Sequence, residues 1–334
     1  MYLMNMESNM RLCLIVALAL ALVMGLGSMG SAAQLGHQTG DASAPEVFMT
    51  TDISPKSLMA IYEALKWTPE GKVAVKVSTG EPPASNYLRP ELIKDLVQHV
   101  KGTIVECNTA YNGSRAEAAM HMEVAKDHGF TAIADVDILD EAGDLELPVT
   151  GGKNLKGNLV GARFKDYGSY LILSHFKGHA MAGFGGAIKN VSIGIASRAG
   201  KSRIHSGGKS DTSPWGGAQD PFLESMAEAC KSVVDALDGG KRITYINVMN
   251  RLSIDCDCNG QPAEPDIHDI GILASHDPVA LDQACVDLIE EAEGNASFVA
   301  RMKDRHAVHA LEHAEAIGLG RRAYRLTSLD GGAR

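Results

Sequence analysis

The chain has 334 residues, 45% of them hydrophobic, which is enough apolar material for a sizeable core and excludes a disordered polymer. Its 31 basic residues are outnumbered by 41 acidic ones, for a net charge of −10, and no long basic run offers a footprint for a nucleic-acid backbone. A small ligand is the class of partner left open.

In chain order, Arg11 precedes the apolar block LCLIVALALALVMGLG, and small residues ending at Ala33 follow it, the three-part pattern of a secretory signal over 1–33. The block is short for a membrane span, so the expectation is an exported protein, periplasmic or secreted, with no membrane span after signal removal and a membrane anchor if the signal stays. Beyond the signal, Cys107, Cys230, Cys256, Cys258 and Cys285 remain, an odd number that leaves at least one thiol unpaired or paired between chains.

A linker over 34–45 leads to EVFMT, read as a strand, and to a helix opened by Ser54 with Pro55 in its first position. KVAVKVS, RPELIKDLVQHV and TIVEC continue a β-α-β rhythm; RAEAAMHMEVAKDHG then reads as a helix stopping at Gly129, and TAIADVDIL as a strand. This alternation predicts an α/β fold, mostly parallel sheets with helices on both faces, in two Rossmann-like lobes. Gly-rich TGGKNLKGN marks the boundary, giving an N-terminal lobe over 46–150 and a C-terminal lobe over 151–334. In the second lobe LVGARF, SYLILSH, RITYINVMN and DIGILAS read as strands, PFLESMAEACKSVVDAL as an amphipathic helix, and Asp277 as the cap of a helix beginning at Pro278.

The stretch SHFKGHAMAGFGGAIKN carries the densest chemistry. His175, Lys177 and His179 fall at or just past the end of YLILS, where open α/β sheets present their ligands, and are candidates for catalysis. Gly183, Gly185 and Gly186 permit close backbone approach, and amides exposed there can hold an anion of a cofactor. Lys189 follows His179 by ten residues and His205 follows it by twenty-six. Imidazole suits nickel, zinc, copper or iron, and a lysine amine serves as an anion partner or a covalent attachment point. Lys76 in VKVSTGE and Arg115 after NTAYNG are further candidates for a carboxylate or phosphate, and Glu81 and Glu106 could act as bases if desolvated.

In SIDCDCNG, Cys256 and Cys258 alternate with Asp255 and Asp257, which reads either as a polar turn with partly exposed thiols or as thiolate ligands of a metal that needs further ligands from elsewhere. His306, His309 and His313 recur at helical spacing and read as one face of an amphipathic surface helix.

The segments VKVSTGE, TIVECNTAY, LSHFKGHAMAGFGGAIKNVSIGIASRAGK, NVMNRLSIDCDC and DIGILASHDPVALDQACVDLI together resemble the domain-of-unknown-function family numbered 362, from about Val47 to the C-terminus. Many members of that family carry ferredoxin-type cysteine clusters. Here the stretch after His205 reads SGGKSDTSPWGGAQD, without a cysteine, so no [4Fe–4S] cluster is expected. The order of His179, the glycine turn, Lys189 and His205 is also distantly similar to that of nickel-pincer lactate racemases. That resemblance implies an acid/base or substrate-contacting role for His179, attachment of a lysine-linked nucleotide at Lys189, and nickel ligation by His205. The racemases place a second catalytic histidine in an earlier loop, whereas ECNTAYNGSR here contains none.

The expectation is therefore a metal- or cofactor-dependent enzyme acting on a small anionic substrate, its metal being nickel, zinc or iron, with the resemblance implying 2-hydroxy acid chemistry. The alternative is a non-catalytic metal- or ligand-binding protein to which Cys256 and Cys258 contribute.

Overall fold

A computed structural model describes residues 35–331, so the expected signal segment over 1–33 lies outside the described residues. Its first half follows the β-α alternation of the sequence: β1 (Glu46–Thr50), α1 (Pro55–Ala64), β2 (Val73–Lys76), α2 (Pro90–His99), β3 (Thr103–Glu106), α3 (Ala118–Asp127) and β4 (Val136–Ile138). The helix starts are chemically specified. The Ser54 hydroxyl accepts the Ser57 amide at the head of α1, and Pro55 fits the first turn because its missing N–H would have had no partner there.

Beyond a two-stranded ribbon of β5 (Asp144–Pro148) and β6 (Gly157–Gly161) come β7 (Ser169–His175) and a short hairpin of β8 (Lys177–His179) and β9 (Gly183–Gly185). Three helices follow, α4 (Ala187–Ile195), α5 (Arg198–His205) and α6 (Gln219–Ala236), then β10 (Ile243–Met249) and β11 (Gly271–Ser275). The chain closes with α7 (Pro278–Glu291), α8 (Ala296–Asp304), α9 (His309–Ala316) and β12 (Arg325–Ser328).

Eight of these strands form one sheet in the order β12-β1-β11-β10-β7-β2-β3-β4. Every neighbouring pair is parallel except the two that β11 makes, with β1 and with β10. Its two faces are covered separately. Leu58, Ile93 and Leu96 of α1 and α2 pack with Val75, Ile104 and Leu171, while Val191, Val233 and Leu281 of α4, α6 and α7 pack with Tyr170, Ile172 and Tyr245. That two-sided cover explains why the central strands are buried at every position rather than at alternate ones.

The lobe boundary expected between residues 150 and 151 does not divide this sheet. β2 pairs with β3 on one edge and with β7 on the other, so strands from both sides of the boundary share one hydrogen-bonded core, and the described residues form one compact unit. LVGARF departs from expectation in a related way, since β6 pairs with β5 outside the main sheet.

The strand order creates a switch point. From β2 the chain crosses outward to β3 and β4; from β7 it crosses the other way to β10. Adjacent strands whose crossovers depart in opposite directions leave a crevice at their carboxyl ends. Asn190 of α4 spans it, its amide donating to the Lys76 and Leu173 carbonyls at 3.2 and 3.4 Å.

Asp282 on α7 fixes where α4 begins. It is fully buried and accepts the Ala187 and Ile188 amides at 2.7 and 3.0 Å and the Asn247 side-chain amide at 2.8 Å. Gly186 precedes those amides because a Cβ there would lie 2.3 Å from the Asp282 carboxylate. Asp282→Ala strands three buried donors and is expected to lower stability by roughly 2–4 kcal/mol, with Asp282→Asn costing less. Urea denaturation reads this directly, and an unchanged midpoint for Asp282→Ala would remove Asp282 from its place as the anchor of α4.

Candidate functional site

The crevice opens into a cavity of about 270 Å³ at the carboxyl ends of the strands. β2 contributes Lys76, β3 contributes Glu106, the loop after it Arg115, the β8–β9 hairpin Lys177 and His179, α4 Lys189, α5 Lys201 and His205, and the loop after β10 the pair Cys256 and Cys258. Within a chain of net charge −10, this wall carries five cationic side chains against two carboxylates, Glu106 and Asp257.

Both carboxylates are committed to particular cations. Glu106 takes Lys76 Nζ at 2.8 Å and lies 3.6 Å from the Arg115 guanidinium, which also holds Glu81 at 3.0 Å. Burial alone would raise the Glu106 carboxyl, but Lys76, His121 and Arg115 together hold it at about 2. Asp257 accepts from His175 Nδ1 at 2.7 Å and pairs with Lys177 at 3.0 Å. There too burial works against the charge, and Lys177 and His175 keep the carboxyl well below the usual range.

Lys189 and Lys201 have no carboxylate partner among the described residues. Lys201 is buried and turns its ammonium toward the Ala196 carbonyl at 2.6 Å and the Cys107 carbonyl at 3.4 Å. Lys189 is partly buried; desolvation first, and then repulsion from Lys177, bring its amine down to about 7. Such an amine divides between a cation that attracts anions and a neutral nucleophile at ordinary pH.

The two cavity histidines are held in opposite tautomers. His179 Nδ1 accepts two backbone amides, from Met181 at 3.2 Å and Ala182 at 2.9 Å. Burial, then the charge of Lys189 and the His205 ring, hold its pKa well below the ordinary value, so the ring is neutral and its one proton sits on Nε2. His205 is the reverse. Its Nδ1 donates to the Lys201 carbonyl at 2.7 Å, burial pulls its pKa to about 4, and the lone pair is left on Nε2. Phe222 stacks on the ring with centroids 4.9 Å apart and fixes its plane. One histidine is thus a donor and the other an acceptor on the same cavity.

Of the residues singled out from the sequence, Lys76, Arg115, Lys177, His179, Gly185, Gly186, Lys189, His205, Cys256 and Cys258 line the cavity. His175 does not. It is buried with both ring nitrogens engaged, by Asp257 and by the Asn250 carbonyl at 2.7 Å, and so supports Asp257 from behind instead of meeting a ligand. Gly183 lies outside as well, at φ +81° with Ala307 2.5 Å from where its Cβ would be. The glycine run is a hairpin rather than an open anion loop, and the amides that would have bound an anion at the head of α4 go to Asp282.

Cys256 and Cys258 are joined in a disulfide. With His179 they form a group whose ligand-type atoms lie within 4.8 Å of one another, close enough for one metal ion; His205 is not among them. Two constraints bear on that group. A disulfide offers no thiolate, and a proton on His179 Nε2 occupies the nitrogen that Met181 and Ala182 leave free. Among the described residues the histidines of the final helical region face carboxylates: His309 meets Glu224 and His313 meets Glu228, each at 3.2 Å.

Sequence reasoning missed Lys201 and Asp282. Lys201 had a legible signal, standing four residues before His205 on one helix face; Asp282 had none, because its partners are backbone amides 94 and 95 residues away.

Ionised Glu106 has a folded pKa near 2, below its ordinary value, so its contribution to stability is present above that ordinary value and is lost as pH falls toward 2. Thermal midpoints measured from pH 7 to pH 3 are expected to fall less steeply in Glu106→Gln than in the parent; parallel curves would contradict the pairing.

Among the described residues no helix is long and apolar enough to cross a membrane. No curated protein sequence matches the chain. Solved structures similar to it include a lactate racemase apoprotein from Thermoanaerobacterium thermosaccharolyticum, at 14% identity and a TM-score of 0.36, over 60% of this chain and 50% of that one. A structural-genomics protein from Thermotoga maritima is similar at 12% identity and a TM-score of 0.35, over 78% of this chain and 58% of that one. The chain therefore spans about half the length of these neighbours. The family model described as "Domain of unknown function (DUF362)" matches residues 73–287, a span that runs from β2 through the hairpin and the CxC loop into α7, and the chain belongs to that family.

Proposed function

We propose that the cavity binds a small anionic molecule, carboxylate- or phosphate-bearing, and moves a proton on it. The observation that carries this reading is the opposed pair of histidines, His179 with a proton on Nε2 and His205 with a lone pair on Nε2, set beside two lysines that have no carboxylate partner. Lys189 and Lys201 attract the anion. His205 accepts a proton from the bound molecule and can return it, while neutral His179 donates a hydrogen bond from Nε2 to the substrate oxygen on which charge develops, the division of labour expected when environments separate two titratable groups.

Metal ligation is the alternative use of the same His205 lone pair; it would replace proton acceptance there, and the bound molecule would have to complete the ligand set. The His205 Nδ1 proton is tied to a carbonyl, the second-shell contact that orients a ligating imidazole, and Nε2 is free. A metal held there would supply Lewis acidity toward an oxygen of the substrate. Lys189, near neutral and unpaired, is suited to carry a covalently linked group. These features support 2-hydroxy acids as the substrates to try first. The Cys256–Cys258 bridge supports an oxidising compartment outside the cytosol.

The test is deuterium wash-in at the carbon beside the carboxylate, followed by proton NMR in D₂O over a panel of 2-hydroxy acids, with metal content and intact mass recorded on the same preparation. His205→Gln is expected to slow exchange by about 100-fold while leaving ligand affinity within a few-fold. Lys189→Ala is expected to weaken binding about tenfold. Because the Lys189 amine is charged only below about 7, wild-type affinity for the anion should fall as pH rises through 7. Binding without exchange in any member of the panel would favour the second reading, a non-catalytic capture protein, for which the two lysines without a carboxylate partner are the support.

A further inference from the structure

The disulfide between Cys256 and Cys258 has no use in the proton transfer just described, and it braces almost nothing. Its two cysteines are separated by a single residue, so the loop it closes is too short to remove much entropy from the unfolded chain. Its surroundings are those of a reactive pair. Cys256 is buried, Cys258 is partly exposed, and both face the cavity. The Cys258 amide donates to Cys256 Sγ at 3.3 Å, and Lys189, without a carboxylate partner, lines the same wall beside the Lys177–Asp257 ion pair. A thiolate released at Cys256 would meet a hydrogen-bond donor and positive charge there, the conditions that make a cysteine a good leaving group. By contrast Cys107, which also lines the cavity but is buried and bonded to the Ile195 carbonyl, and Cys230 and Cys285 are buried free thiols whose pKa values burial pushes up.

We propose that Cys256–Cys258 is a thiol–disulfide exchange site that accepts electrons from small dithiols entering the cavity. A thiolate of the dithiol attacks Cys258 Sγ, the Sγ–Sγ bond breaks, and Cys256 leaves as a thiolate. The second thiol of the reductant then attacks the mixed disulfide and frees Cys258. Two electrons pass to the cysteine pair, two protons from the dithiol end on the two cysteines, and the dithiol becomes a cyclic disulfide. Run backwards, the same steps let the reduced pair hand its electrons to an acceptor disulfide. Reduction also releases the sulfurs beside His179, so the oxidation state of the pair decides whether the wall of the anion cavity presents a bridge or two thiols.

The experiment uses the natively folded wild-type protein, equilibrated in buffers of stepped reduced-to-oxidised dithiothreitol ratio, quenched with an alkylating reagent and read by intact and peptide mass. The expected result is that Cys256 and Cys258 become labelled together as the ratio rises, return to the unlabelled bridge when oxidised dithiothreitol is restored, and do so with Cys107, Cys230 and Cys285 unlabelled throughout. Labelling of the pair only after denaturation, or thiols that oxidised dithiothreitol does not close again, would overturn the proposal. The outcome is independent of whether the cavity supports proton exchange, so a failure here leaves the histidine pair untouched, and a failure there leaves the exchange site standing.

Discussion

The carboxylate of Asp282 is the fixed point of this molecule. It reaches from α7 under the start of α4 and takes two of the four amides that a helix leaves unpaired at its beginning. With the helix start pinned, Lys189 and Asn190 have a defined height above the sheet, and Asn190 ties α4 across the crevice to the ends of β2 and β7. Gly186 is the sequence's concession to that contact, since any side chain there would displace the carboxylate. The anion loop that the glycines suggest is therefore absent because a protein carboxylate already occupies the place of the anion.

Charge is what the cavity has in excess. Ion pairs account for Lys76, Arg115 and Lys177, each matched to Glu106, Glu81 or Asp257. Lys189 and Lys201 are left over, and a cation removed from water without a counter-ion is costly unless something else supplies one. The same desolvation that brings Lys189 down to about 7 keeps His179 and His205 neutral. Neutral rings with opposite tautomers are a consequence of backbone geometry, two amides aimed at one imidazole and a helix carbonyl at the other, so the division into donor and acceptor is built into the fold before any ligand arrives.

Much of this was legible in the sequence, and the parts that were not share a cause. Ser54 with Pro55, Gly129 and Asp277 with Pro278 are local signals, and the elements they punctuate form where the pattern places them. His179, Lys189 and His205, singled out by spacing, come to one cavity because they sit on elements close in the chain at one end of the sheet. The division into lobes failed because strand neighbours are chosen by the crossover directions of β2 and β7, which a one-dimensional pattern does not record. His175 was read as reactive because it stands beside Lys177 and His179, yet it lies at the end of a fully buried strand, and only the packing of the loop after β10 reveals that Asp257 and Asn250 consume both its nitrogens.

The claim on which the rest stands is that the two cavity histidines are neutral and oppositely protonated. Long-range nitrogen–proton correlation spectra of ¹⁵N-histidine-labelled protein at pH 7, assigned with His179→Gln and His205→Gln, report the protonated nitrogen of each ring. The account predicts a proton on Nε2 of His179 and on Nδ1 of His205. Finding both rings in the same tautomer, or either one doubly protonated, would contradict it.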